Sequence, residues 1–161
     1  MSLAIDTLLN SPITEELSAP EVELLSGLCD IQSYKAGDII VQPADQQPDN
    51  LYILASGDIE VKIDSAGEKT DIHVLKPGDL AGIITFAGGA ASHVQATLYA
   101  VGDTQVLSLP RAKFETLINT HPMLVYKVMR GVVRNVHGIV RRVNSQTTEL
   151  SNYIYRIHGR Y

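Results

Sequence analysis

Between residues 30 and 109 the chain is cut by five turn motifs of one kind: Lys35-Ala36-Gly37-Asp38, Ala55-Ser56-Gly57-Asp58, Ser65-Ala66-Gly67-Glu68, Lys76-Pro77-Gly78-Asp79 and Val101-Gly102-Asp103. Glycine reaches positive φ without steric cost, so each motif reads as a reversal between strands. The runs between them, residues 38–41, 51–54, 59–63, 72–75, 96–101 and 105–109, are rich in β-branched and aromatic residues. The glycines stand 10 to 24 residues apart, too close for the helical crossovers that parallel strands need. The pattern specifies a mainly β unit, an antiparallel barrel or roll.

On either side the period turns helical. Residues 14–29 place Ser18 as an N-cap and Pro20 in the first turn, with Leu24, Leu25 and Leu28 on one face. Residues 110–118 read as a short helix stopped before His121-Pro122, because the residue before proline is pushed out of the α region. A long helix then starts at Pro122. Its apolar positions step by four and three through Val125, Met129, Val132, Val136, Ile139 and Val143, then Gln146, then Leu150, Tyr153 and Ile157. That spacing is a coiled-coil seam. Gln146 either sets its register or marks where the helix ends. Gly131 and Gly138 lie beside the seam, each costing up to about 1 kcal/mol of helix propensity relative to alanine. They serve close approach to a partner helix or to the roll, or are a simple packing tolerance. So long a seam exceeds the surface of one small roll, and a two-fold homodimer is expected. The organisation expected is a roll with N-terminal helices over residues 1–120 and a dimerisation helix over residues 121–161.

The 161 residues suit one ordinary domain with an appendage, and 45% hydrophobic against 19% charged residues excludes disorder and collagen. No run approaches the roughly 20 apolar residues of a membrane span. The N-terminus lacks a basic stretch followed by an apolar core, so a cytoplasmic protein is expected. A single cysteine, Cys29, has no activating histidine beside it and reads as a small buried hydrophobe. The charge is uneven: residues 1–120 hold six Lys and Arg against seventeen Asp and Glu, a net −11, while residues 121–161 hold seven against Glu149 alone, a net +6. The basic helix either meets nucleic acid or an acidic partner, or lies against its own acidic domain. The five histidines, at 73, 93, 121, 137 and 158, offer no His-x-His spacing, so neither a metal site nor an enzyme is expected. His73 alternates with Ile72 and Val74 and is expected to face solvent.

Three stretches together, residues 33–40, 49–61 and 75–82, resemble the cyclic-nucleotide-binding domain, the sensor module of catabolite activator proteins and protein kinase A regulatory subunits. The resemblance covers residues 14–140. It implies an eight-stranded antiparallel double-stranded β-helix, a jelly-roll-like β-roll flanked by helices, with a long C-terminal dimerisation helix. It also implies a phosphate-binding cassette in which a Gly-Glu pair opens a short helix and an Arg-Ser/Thr-Ala run follows about ten residues later. Gly82 keeps the glycine, but Ile83 stands at the glutamate and Val94-Gln95-Ala96 at the arginine run. No arginine lies between Lys76 and Arg111. Losing both contacts weakens cyclic nucleotide binding by about two orders of magnitude or more. Where family members reach the base from the long helix, this chain has the apolar Ile139-Val140.

The resemblance implies a non-enzymatic regulatory or signalling module that senses cAMP, cGMP or another small ligand and acts through a dimer or a protein partner. Gly82, Ile83, Ser92, His93, Val94, Gln95 and Thr97 are the candidate lining of the anionic end, with protonated His93 replacing part of the missing charge below about pH 6.5. The alternatives are a degenerate member that only dimerises or binds proteins, and the truncated sensor of a transcription regulator. Sequence-specific DNA binding is not expected, since a helix-turn-helix needs roughly 60 to 70 residues and about twenty follow Val140.

Overall fold

The computed structural model describes residues 2–42, 49–65, 68–88 and 96–158, the side chains of 64, 65, 68–72, 150, 151, 153 and 155–158 excepted. Its strands form two antiparallel four-stranded sheets. The first runs β1 (Asp30–Tyr34), β8 (Thr104–Pro110), β3 (Asn50–Ser56), β6 (Leu80–Ala81); the second runs β2 (Ile39–Val41), β7 (Ala96–Ala100), β4 (Ile59–Ser65), β5 (Glu68–Leu75). This is the antiparallel roll that the turn pattern specifies. Gly37, Gly57 and Gly78, all at positive φ, mark three of the places where the chain leaves one sheet for the other. In the two Lys-x-Gly-Asp turns the aspartate closes the reversal: Asp38 Oδ2 accepts from Lys35 N–H at 2.8 Å, and Asp79 Oδ2 from Lys76 N–H at 2.9 Å.

Two cores result. One fills the space between the sheets with Leu54, Ile59, Leu98 and Val106. The other packs the outer face of the first sheet, through Leu51, Ile53, Leu107 and Leu109, against helices. Among these, α1 (Leu3–Leu9) is capped by Ser2 and buries Ala4, Thr7 and Leu8. A 3₁₀ turn follows over Pro12–Thr14. The stretch expected as one helix over residues 14–29 is α-helical only in α2 (Ala19–Ser26), because Ser18 and Glu21 form a reciprocal capping box that starts the helix there. Short helices α3 (Ile83–Ala87) and α4 (Arg111–Glu115) precede α5 (Pro122–His158), which runs straight past Gln146. Gln146 therefore does not end the helix.

The first turns of α5 belong to the core: Leu124, Val128 and Val132 are buried, with Val125 and Met129 packed against them. Gly131 makes this seating possible, since a Cβ there would stand 2.6 Å from Ile13 Cα and 2.7 Å from Pro12 O. At Gly138 an added Cβ meets nothing within 4 Å. Past that seat the apolar strip is open, with Val136 39%, Ile139 38% and Val143 54% exposed. The expected seam is thus split: its start lies on the roll and its middle is partly exposed, while the side chains of Leu150, Tyr153 and Ile157 lie outside the described residues.

Charge pairs hold the helix on the same seat. Lys127 Nζ reaches Glu21 at 3.1 Å, Arg130 Nε reaches Glu16 at 3.1 Å, and Arg134 reaches Glu16 at 3.2 Å and Glu15 at 3.5 Å. Part of the basic helix therefore lies against its own acidic domain. Desolvation raises the Glu16 carboxyl, but the Arg134 hydrogen bond and the charges of Arg130 and Arg134 outweigh it and hold the group below its ordinary value. Glu21 is lowered first by the backbone N–H of Ser18 and then, against desolvation, by Lys127. Carboxyls held low in the folded state contribute stability above the usual carboxylate range, and it is lost as pH falls through the folded value. The unfolding midpoint is expected to drop below about pH 5, and Glu16→Gln to flatten that acid limb in a thermal melt series.

Candidate functional site

The site grows from the turn after β6. Gly82 caps α3 in the left-handed region at φ 78°, and a Cβ on it would stand 2.6 Å from Asn50 O, so glycine is required twice over. The turn sets Ile83 as the first residue of α3. Thr85 Oγ1 donates to Gly82 O at 3.0 Å and ties the helix to its own start. Arg111 holds α3 from the other side: Nη1 donates to Thr85 O at 3.3 Å, Nη2 pairs with Asp49 at 2.6 Å, and the guanidinium occupies the space a Gly88 side chain would need.

Over this helix opens a cavity of about 410 Å³. The second sheet contributes Val41, Val61 and Leu98, α3 contributes Ile83 and Ile84, and α5 contributes Val136 and Ile139. Tyr52 and Thr85 are the polar side chains among its described walls, and none of those walls is charged. A second groove, of about 290 Å³, adjoins it and shares Leu75, Leu80 and Ile139; His73, Asp79, Asn135 and Arg142 add polar side chains to it. Within it Asn135 Oδ1 is buried and has no hydrogen-bond partner among the described residues.

Of the residues expected to line a ligand, Gly82 and Ile83 are at the cavity. Ser92, His93, Val94 and Gln95 lie outside the described residues. Thr97 is buried on β7, where strand alternation gives the described cavity face to Ala96 and Leu98. Ile139, read first as seam, is also a wall of the cavity, and Val41, Val61 and Leu98 were not singled out. Their inward alternation was the available clue. His73 is exposed. Among the described residues no group of three or more His, Cys, Asp or Glu could hold a metal, and no helix is long and apolar enough to cross a membrane.

Cys29 stands apart from the cavity. Its thiol donates to Leu25 O at 3.4 Å, and desolvation, with Asp30 adding to it and Lys113 opposing, pushes its pKa up to about 12. At pH 8 Ellman's reagent is expected to react with native Cys29 roughly two orders of magnitude more slowly than with the urea-unfolded chain.

The cyclic nucleotide-binding domain model matches residues 31–121. The HTH-type transcriptional regulator Cmr of Mycobacterium tuberculosis is 27% identical over 120 residues, 74% of this chain and 48% of the regulator. Lysophospholipase nte1 of Aspergillus fumigatus is 27% identical over 118 residues, 73% of this chain and 8% of the enzyme. The chain thus spans less than half the length of these curated relatives. The catabolite activator protein of Thermus thermophilus superposes with a TM-score of 0.70 at 25% identity, covering 88% of this chain and 63% of that one. The domain match runs from within β1 to the residue before α5 and takes in the strands of both sheets, and the chain belongs to the cyclic nucleotide-binding domain family.

Proposed function

We propose that this chain is a non-catalytic regulatory module that senses a small ligand in the roll cavity and passes its presence to α5, which pairs with α5 of a second copy. One observation carries the reading: sheet, α3 and α5 wall the same cavity. A ligand there touches α3 and α5 at once, so its binding energy depends on where they lie and shifts their population. The names of the relatives support a regulatory role, since a transcription regulator is similar to this chain in sequence and a catabolite activator protein in fold. An output element outside the matched region, such as a DNA-reading domain, is part of the same proposal.

The partly exposed strip at Val136, Ile139 and Val143 supports pairing through the middle of the seam. Light scattering is expected to find a dimer, and Val143→Asp to weaken association at least about 100-fold by placing a charge in an apolar seam. A wild-type chain that stays monomeric at 100 μM (roughly the top of the useful range) would remove the dimer relay. Calorimetric titration with cAMP and cGMP at pH 7 and pH 5.5 tests the family ligand: binding only at the lower pH would implicate His93.

A further inference from the structure

We infer that the cavity takes an uncharged, mostly apolar small molecule bearing one hydrogen-bond donor, in place of a cyclic nucleotide. The inference rests on the reading of this cavity as the sensor site. Its volume, about 410 Å³, lies within the range of small-molecule sites. Its described walls are aliphatic apart from Tyr52 and Thr85, and the Thr85 hydroxyl proton is already directed to Gly82 O. From Pro77 to Pro110 the chain contains no lysine and no arginine. The next cation, Arg111, is bound to Asp49 and to the Thr85 carbonyl and is not part of the cavity wall. A cyclic phosphate against Ile83 and its neighbours would give up hydration with no described counter-ion to replace it. An apolar body gains from the same burial.

The polar end of the ligand is set by Asn135. One helical turn before Ile139, it holds a buried Oδ1 without a partner among the described residues, in the groove that shares Leu75, Leu80 and Ile139 with the cavity. A buried acceptor left unpaired is costly, and a ligand hydroxyl or amine N–H extending from the cavity into this groove would satisfy it once the Asn135 amide turns toward it. The charged residues of that groove, Asp79 and Arg142, are of opposite sign, so it has no bias toward an anion.

The probe is N-phenyl-1-naphthylamine, uncharged, apolar and carrying one N–H, titrated into the full chain by fluorescence. One probe per chain with blue-shifted emission is expected, undisplaced by cAMP or cGMP. Ala96→Phe and Val61→Phe, which fill the cavity from two strands, should each weaken it at least about tenfold with the thermal melt retained, and Asn135→Leu about fivefold. Displacement by micromolar cAMP would overturn the ligand class and leave the sensor reading standing. Probe binding unchanged by either phenylalanine would place the probe on the open strip of α5 and overturn the inference. Unchanged affinity in Asn135→Leu would overturn the polar end. No binding of probe or nucleotide would remove both the inference and the sensor reading.

Discussion

Gly131→Val is expected to destabilise the fold by about 3 kcal/mol, lowering the unfolding midpoint by about 6–12 °C, whereas Gly138→Ala strengthens the helix by up to about 1 kcal/mol. Both glycines sit in α5 with the same cost in helix propensity, and only what faces them differs. At Gly131 the first added atom meets backbone, Ile13 Cα and Pro12 O, which cannot rotate away as a side chain does. Either the 3₁₀ turn moves or the helix lifts, and in both cases the packing of Ile13, Val128 and Val132 is lost. At Gly138 the space is open. Differential scanning calorimetry for the first variant and far-UV circular dichroism for the second read the two effects. Equal destabilisation by both would mean that α5 does not sit on the N-terminal segment as described.

The double variant Ile83→Glu with Val94→Arg is expected to raise cAMP affinity about 100-fold or more. Each restored charge-assisted hydrogen bond is worth about 1.5–3 kcal/mol, and two together span a factor of 100 to 10⁴. Ile83 opens α3 and lines the cavity, so a glutamate there points its chain of carbons along an existing wall. The choice of Val94 rests on its place in the cassette sequence. Calorimetry of the wild type and the double variant decides. No gain in a variant that melts normally would mean that the walls themselves, rather than two missing side chains, keep a nucleotide out.

The roll was legible because its turns are: Lys-x-Gly-Asp announces a reversal through glycine, and the aspartate closes it through the lysine N–H. Strand β1 was less so. As Asp30-Ile31-Gln32-Ser33-Tyr34 it is mostly exposed at the sheet edge and lacks a buried alternating face. Helix α1 escaped notice for a related reason: seven residues with one N-cap are too few for periodicity, and the helix is held by burying Ala4 and Leu8. The seam spacing from Val125 to Val143 correctly marked an apolar face, but periodicity does not say what covers it. Val132 is covered by the chain's own core, whereas Val143 is left about half exposed at the rim of the second groove.

For the candidate site, sequence pattern located the turn at Gly82 and the departure at Ile83. It did not locate the cavity walls, because Val41, Val61 and Leu98 come from three strands far apart in the chain and meet only after the sheets close. Nor did it separate Ala96 and Leu98 from Thr97, a distinction made by a single step of strand register.

The central claim is that occupancy of the cavity is felt by α5, and Ala96→Phe provides an occupant that needs no ligand. Hydrogen exchange should be measured on wild type and variant side by side. Slower exchange is predicted in α3 and in α5 around residues 136–143, with β8 unchanged. Equal exchange in α5, with α3 slowed and the melt retained, would contradict the account, since the cavity would then be filled without the helix responding.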